Sequence, residues 1–205
     1  MRRRNVLQVW EDRPVESRPR VRMSAHDRRT ALVEEAARQV AQHGYRRFSI
    51  SSLAKAAGIS RAGVLHHFGS REDVLLAVLA SRDEADVTAA ASPERSAWDL
   101  REALDDVVAR NFERRQMVLL YAAMATDALD EGHPAHDFFK DRQRRTVASL
   151  ASGLKDFGAG AEPVAMAIYA FLDGLQIAWL RDPEVDFRAE WMSFADRLFD
   201  RRLPL

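Results

Sequence analysis

His133 and His136 stand three residues apart among Asp130, Glu131 and Asp137, and imidazoles with nearby carboxylates are a donor set for a divalent metal. The segment straddles a loop and the helix start at Pro134, where Asp and His are common for backbone reasons alone. No Ser-His-Asp order, glycine-rich phosphate loop or H-E-x-x-H pattern accompanies it. The sequence has no cysteine, so thiolate metal sites, disulfides and a cysteine nucleophile are excluded. A metal-dependent enzyme centred on His133 and His136 is therefore the least favoured of the readings, and no metal or cofactor is expected.

Binding a polyanion is the chemistry that the charges favour. The whole chain balances 31 Lys+Arg against 31 Asp+Glu. Residues 1–71 hold 15 basic and 6 acidic residues, a net of +9, and residues 72–205 hold 16 and 25, a net of −9. A neutral total thus hides one basic end suited to a polyanion. Within that end, Ser49 to Phe68 reads as two short helices joined at Ala57-Gly58-Ile59, a helix-turn-helix whose second helix fits the DNA major groove. Arg61, Ala62 and His66 fall on the outer face of that helix. Arginine is the commonest reader of guanine, and Ala62 is small enough to pack on a thymine methyl. Ser49, Ser60, His67 and Arg71 are placed to hold phosphates, while Arg46 and Arg47 add backbone attraction. Gly63, mid-helix, either lets the helix approach the groove closely or is neutral drift at an exposed site. The serines also serve as caps, and His67 can equally be packed by Phe68.

These residues need a helical frame, and the punctuation supplies one. Residues 1–23, with Pro14, Pro19 and seven arginines, read as a basic arm that either enters a minor groove or, preferably, stays without ordered contact. Helices are predicted from Ser24 to His43, Ser49 to Ala57, Ser60 to Phe68 and Ser70 to about Ala91. Others follow from about Ala97 to Phe112, Met117 to Leu129, His133-Pro134 to about Phe157, Pro163 to Leu180 and about Phe187 to Arg201. Nothing alternates with period two, so the fold class is all-α with nine helices. No run without charge or proline approaches the ~20 apolar residues of a membrane span, and no secretion signal is expected at the start. A cytoplasmic location without membrane partners is expected.

The stretch Ser49-Ile-Ser-Ser-Leu-Ala-Lys-Ala-Ala-Gly-Ile-Ser60, then Val64-Leu-His-His-Phe68 and Ser70-Arg-Glu72, resembles the TetR/AcrR family of bacterial transcriptional regulators. The resemblance is close over about residues 26–80, and beyond that it extends to size and helical pattern. It departs at Leu65, where the family has a tyrosine, and at Arg71, where it has a lysine. It implies a helix-turn-helix DNA-binding domain, here residues 24–71, and a helical effector-binding and dimerisation domain, residues 72–205. It also implies a homodimer on a palindromic double-stranded operator, with a small-molecule effector that releases a repressor. The alternative that uses the same motif is a ligand-independent nucleoid-organising protein.

The C-terminal helices carry further expectations. Ala167, Ala170, Gly174 and Ala178 form a small-residue stripe on one helix, and Thr146, Ser149 and Gly153 a similar stripe on the one before. Two such helices from each of two chains would make a four-helix interface. Phe112, Met117, Tyr121, Met124, Phe139, Tyr169 and Gln176 are candidates to line an effector pocket. Asp173 either meets a cationic or hydroxylated ligand or bonds across the dimer interface, and the interface is preferred.

Overall fold

The computed structural model describes residues 24–90, 97–154 and 160–199, and these contain nine helices and no strand. They are α1 (Ala25–His43), α2 (Ile50–Ala57), α3 (Arg61–Phe68), α4 (Arg71–Ala90), α5 (Ala97–Glu113), α6 (Arg115–Asp127), α7 (His136–Gly153), α8 (Ala161–Arg181) and α9 (Phe187–Phe199). The basic arm lies outside the described residues, as do the expected helical residues 155–157 and Arg201.

Local chemistry sets the ends of the first four helices. Ser24 Oγ accepts the Asp27 N–H at 3.0 Å to start α1, and Gly44 ends it at φ +78°. Ser49 and Ser52 cap α2 reciprocally, and Gly58 closes it in the left-handed region at φ +66°, where a side chain would be strained. Ser60 Oγ takes the Gly63 N–H at 3.0 Å to start α3. At α4, Asp73 N–H donates to Ser70 Oγ while Ser70 N–H donates to Asp73 Oδ2, a capping box with aspartate in the glutamate role.

Three helix starts differ from the sequence expectation, and α6 and α7 end earlier than expected, at Asp127 and Gly153. α6 begins two residues before Met117. α7 begins at His136 because His133 Nδ1 accepts the Ala135 N–H at 3.2 Å and His136 Nδ1 donates to the Ala128 carbonyl at 2.9 Å, which folds residues 133–135 into a turn. α8 begins at Ala161, so Pro163 is its third residue, still in the first turn where no N–H is required.

Two cores result. The first joins α1 to α4 through Leu32, Ala36, Val40, Leu53, Val64, Phe68, Val74 and Leu79, and also contains Met117, Leu120 and Met124 of α6. The second unites α5, α7, α8 and α9 through Leu104, Val108, Leu150, Leu154, Ile168, Leu175, Trp179, Phe187 and Trp191, and receives Val118 of α6. α6 therefore lies between the cores and belongs to both.

α8 corrects one expectation: as a whole helix it is long and apolar enough to cross a membrane. In the fold it buries Ala165, Ile168, Leu175 and Trp179 and leaves Met166, Ala167, Ala170, Gly174 and Ile177 exposed. That arrangement is one-sided, as for a helix packed on a protein core with one face free for a second surface.

Candidate nucleic-acid interface and effector site

On α3 the pattern is two-sided within eight residues. Val64 and Phe68 are buried, whereas Arg61, Ala62, Leu65 and His66 are exposed together. Leu65, 38% exposed, is the residue that sequence reasoning gave no DNA role. An apolar side chain on this outward face is the type that packs on thymine methyls. Arg46 and Arg47 are exposed in the turn before α2, and Ser60 is exposed at the start of α3.

The remaining expected contacts are constrained by internal bonds. Ser49 is half-buried, and its hydroxyl serves the capping box. Arg71 is a correction. Its Nη2 donates to the Tyr45 carbonyl at 2.6 Å and its Nε to the Phe48 carbonyl at 3.1 Å, so its guanidinium ties α4 to the α1–α2 turn instead of pointing at a phosphate. Gly63 is a second correction. A Cβ there would meet Ser60 Oγ at 3.4 Å and Ile59 Cδ1 at 3.6 Å, ordinary contacts inside the turn, so the bare backbone does not open the groove-facing side. His67 is half-buried, with its ring edge-on to Phe68. Arg29 of α1, unremarked in the sequence, donates to the His67 carbonyl at 2.6 Å and lies 4.2 Å over the Phe68 ring. It locks the end of α3 to α1.

The pocket candidates divide. Met117 and Met124 are buried in the first core, facing the DNA-binding helices. Phe112 stacks on Trp179 at 5.8 Å under the guanidinium of Arg188, at the surface of the second core. Tyr121 and Phe139 pack against that same first core, and Phe112 stands apart from it. Tyr121, Phe139 and Tyr169 do converge: the Tyr121 and Phe139 rings meet edge to face at 5.4 Å, and the Tyr121 and Tyr169 hydroxyls lie 3.3 Å apart. Gln176 is half-buried on α8, three residues beyond Asp173.

Charged residues complete this group. Arg142 of α7 donates through Nη1 to Tyr121 Oη at 3.0 Å and through Nε to Asp83 of α4 at 2.6 Å. Burial opposes the Arg142 charge, yet Tyr121, Asp83 and Tyr169 outweigh it and hold the guanidinium protonated. Asp173 is the third correction. It is half-buried four residues after Tyr169 on α8, one turn away on the same face, and does not belong to the exposed stripe of that helix. Burial raises its carboxyl above the usual range, against the pull of Arg142 and the two phenols. Burial likewise pushes both tyrosines up, so they remain neutral phenols. The signal missed in the sequence was Arg142 itself, a lone charge on the stripe Ala135, Phe139, Arg142, Thr146, Leu150. A charge on an apolar stripe implies a buried partner.

The interface stripe divides too. On α8, Ala167, Ala170 and Gly174 are exposed, nothing lies within 4 Å of a Cβ at Gly174, and Ala178 is half-buried. On α7, Ser149 is exposed and Thr146 half-buried. Gly153 is a correction: a Cβ there would meet Leu100 of α5 at 3.2 Å, so this glycine permits a close approach within the chain. Among the described residues no three His, Asp or Glu are gathered as metal ligands, and His133 and His136 each make the local bonds given above.

A capped helix-turn-helix with an exposed Arg-Ala-Leu-His face, carried by a larger helical body, defines a DNA-binding regulator. Residues 32–78 match the bacterial regulatory proteins of the tetR family. Over 163 residues, 73% of this chain and 76% of the relative, the chain is 30% identical to the HTH-type transcriptional regulator BetI of Rhizobium meliloti. It is 36% identical over 78 residues, 38% of this chain and 41% of the other, to the HTH-type transcriptional repressor AcnR of Corynebacterium glutamicum. The fold matches the crystal structure of a TetR transcriptional regulator from Legionella pneumophila with TM-score 0.65 and 18% identity, covering 85% of this chain and 96% of that one. The chain belongs to the TetR family and is a DNA-binding transcriptional regulator.

Proposed function

We propose that this regulator is a cytoplasmic, homodimeric repressor that leaves a near-palindromic operator when a small molecule binds between its two cores. In this reading Arg61, Ala62, Leu65 and His66 meet base edges, while Ser60, His67, Arg46 and Arg47 hold phosphates. The exposed stripes of α7 and α8 form the dimer, which sets two copies of α3 about 34–36 Å apart for successive major-groove faces.

The observation that carries the release mechanism is the double membership of α6. Tyr121 takes part in the polar cluster, while Met117, Leu120 and Met124 on the same helix pack under α1–α4. Close-packed interiors transmit displacement because side chains have no free volume to absorb it. A ligand that moves Tyr121 therefore shifts the base of the DNA-binding helices and changes the spacing of the two recognition helices. To take the operator-competent fraction from 99% to 1%, the ligand must prefer the released form by about 5.5 kcal/mol.

The test is operator selection from a random DNA library with the purified dimer, followed by binding titrations with and without screened metabolites. A sharp palindromic consensus whose affinity falls with a ligand supports the repressor. Broad occupancy without consensus, insensitive to every ligand, favours the nucleoid-organising alternative. Measured metal content and hydrolytic activity of the same preparation address the enzyme reading at His133 and His136.

A further inference from the structure

Among the described residues, the polar cluster between the cores holds fewer guanidinium groups than carboxyl groups. It holds two carboxylates, Asp83 and Asp173, and one guanidinium, and that guanidinium is already used: Arg142 contacts Asp83 at 2.6 Å and Tyr121 at 3.0 Å. The Arg142 charge and the phenols of Tyr169 and Tyr121 favour the ionised form of Asp173, yet Arg142 makes its ion pair with Asp83. Two hydroxyl donors stabilise a carboxylate less than a contacting cation does. Asp173 is also only half-buried, so a ligand can reach it.

The surroundings favour one ligand charge over the others. Tyr169 stands one helical turn before Asp173, its hydroxyl meets that of Tyr121, Phe139 packs on the Tyr121 ring, and Arg142 lies 4.6 Å over that ring. Aromatic faces attract cations, and the attraction grows as water is excluded. An anionic ligand would have to displace Asp83 from Arg142 while facing Asp173. A neutral ligand would cover Asp173 and leave it without a cation, which costs free energy. A cation on an apolar frame neutralises the cluster and uses the rings.

Building on the effector-release reading, we propose that the effector is an organic cation, an ammonium or amidinium on an apolar or aromatic frame. Its charge pairs with Asp173, and its frame lies against Tyr169, Tyr121 and Phe139.

The test uses the full chain and ligand triples that share a skeleton and differ in charge: benzylamine, benzyl alcohol and benzoate, then phenethylamine, 2-phenylethanol and phenylacetate. Calorimetry at neutral pH should show each ammonium binding at least tenfold more tightly than its alcohol, with the carboxylate weakest. Asp173→Asn should abolish that preference by weakening the ammonium, with the alcohol bound no more weakly than by the parent, and Asp173→Glu should keep it. The proposal is overturned if no triple binds, if an alcohol or carboxylate equals its ammonium, or if the preference survives in Asp173→Asn. Operator affinity, read by fluorescence anisotropy, separates the two levels. An ammonium bound through Asp173 that leaves DNA affinity unchanged sinks the release reading and keeps the cation site. A carboxylate or alcohol that releases the operator does the reverse.

Discussion

Arg71 at the first residue of α4 donates to the Tyr45 carbonyl, 26 residues earlier, at 2.6 Å. This bond and its companion to Phe48 hold the turn before α2 against the start of α4, and so fix where the helix-turn-helix sits on its support. Arg61, ten residues before Arg71, is exposed on α3 with no such tie.

The two arginines should separate in experiment. Arg71→Ala leaves half-buried carbonyls without their donor and should cost about 1–3 kcal/mol of stability, with the salt dependence of DNA binding unchanged. Arg61→Ala should leave stability intact and relax base preference at one position in each half-site, a loss of about 1–3 kcal/mol of discrimination. Urea denaturation and operator selection read the two effects. A reduced salt slope in Arg71→Ala would mean that its guanidinium reaches phosphate after all.

Gly63 can be filled. The nearest atom to a new Cβ is at 3.4 Å and the backbone is ordinary helix, so Gly63→Ala should stabilise by about 1 kcal/mol. For a chain of this size that corresponds to a rise in melting temperature of about 2–4 °C. Operator affinity should be unchanged, because the methyl points at Ile59. Weakened DNA binding at equal or greater stability would restore a groove-facing role for the glycine.

Gly174 probes the opposite case. Nothing among the described residues crowds it, so Gly174→Leu should fold as a monomer but wedge the partner helix away, an overpacking cost of about 1–3 kcal/mol. Sedimentation should show monomers at concentrations where the parent is dimeric, and operator affinity should fall with them. A dimer of unchanged strength would place the interface on another surface.

Asp173 makes stability depend on pH in an unusual direction. Burial raises its carboxyl above the ordinary 3.8, so the folded chain keeps a proton that the unfolded chain has already lost. The stability linked to that proton is complete below 3.8 and falls as pH rises through the folded value. Asp173→Asn removes the titration, so its stability relative to the parent should improve as pH rises above 3.8. Urea midpoints across that range measure it, and a pH-independent difference would show that burial does not perturb the carboxyl.

What was legible in the sequence was local. Ser24, Ser49, Ser60 and Ser70 announce helix starts, and Gly44 and Gly58 announce ends, because capping involves residues three or four apart. The periodicity of Leu32, Ala36 and Val40 placed the first core for the same reason. Long-range partners were not legible. Gly153 and Gly174 look alike in sequence, yet Leu100 lies against the first and open space beside the second. Arg71 and Arg61 carry the same guanidinium, and composition does not say whether its donors meet a phosphate or a carbonyl 26 residues back. The grouping of Asp83, Tyr121, Arg142, Tyr169 and Asp173 draws on four helices, and no spacing within any one of them encodes it.

The sharing of α6 between the cores has a consequence during synthesis. The hydrophobic base of the DNA-binding helices is complete only when Met117, Leu120, Met124 and Ala128 are present. At roughly 5–20 residues per second, the ribosome makes Leu79 a few seconds before it reaches Ala128. Through that interval a nascent chain carries the recognition helix without its foundation. Newly made protein thus completes the base of its DNA-binding helices only together with α6, the helix that would sense the effector in the proposed release mechanism.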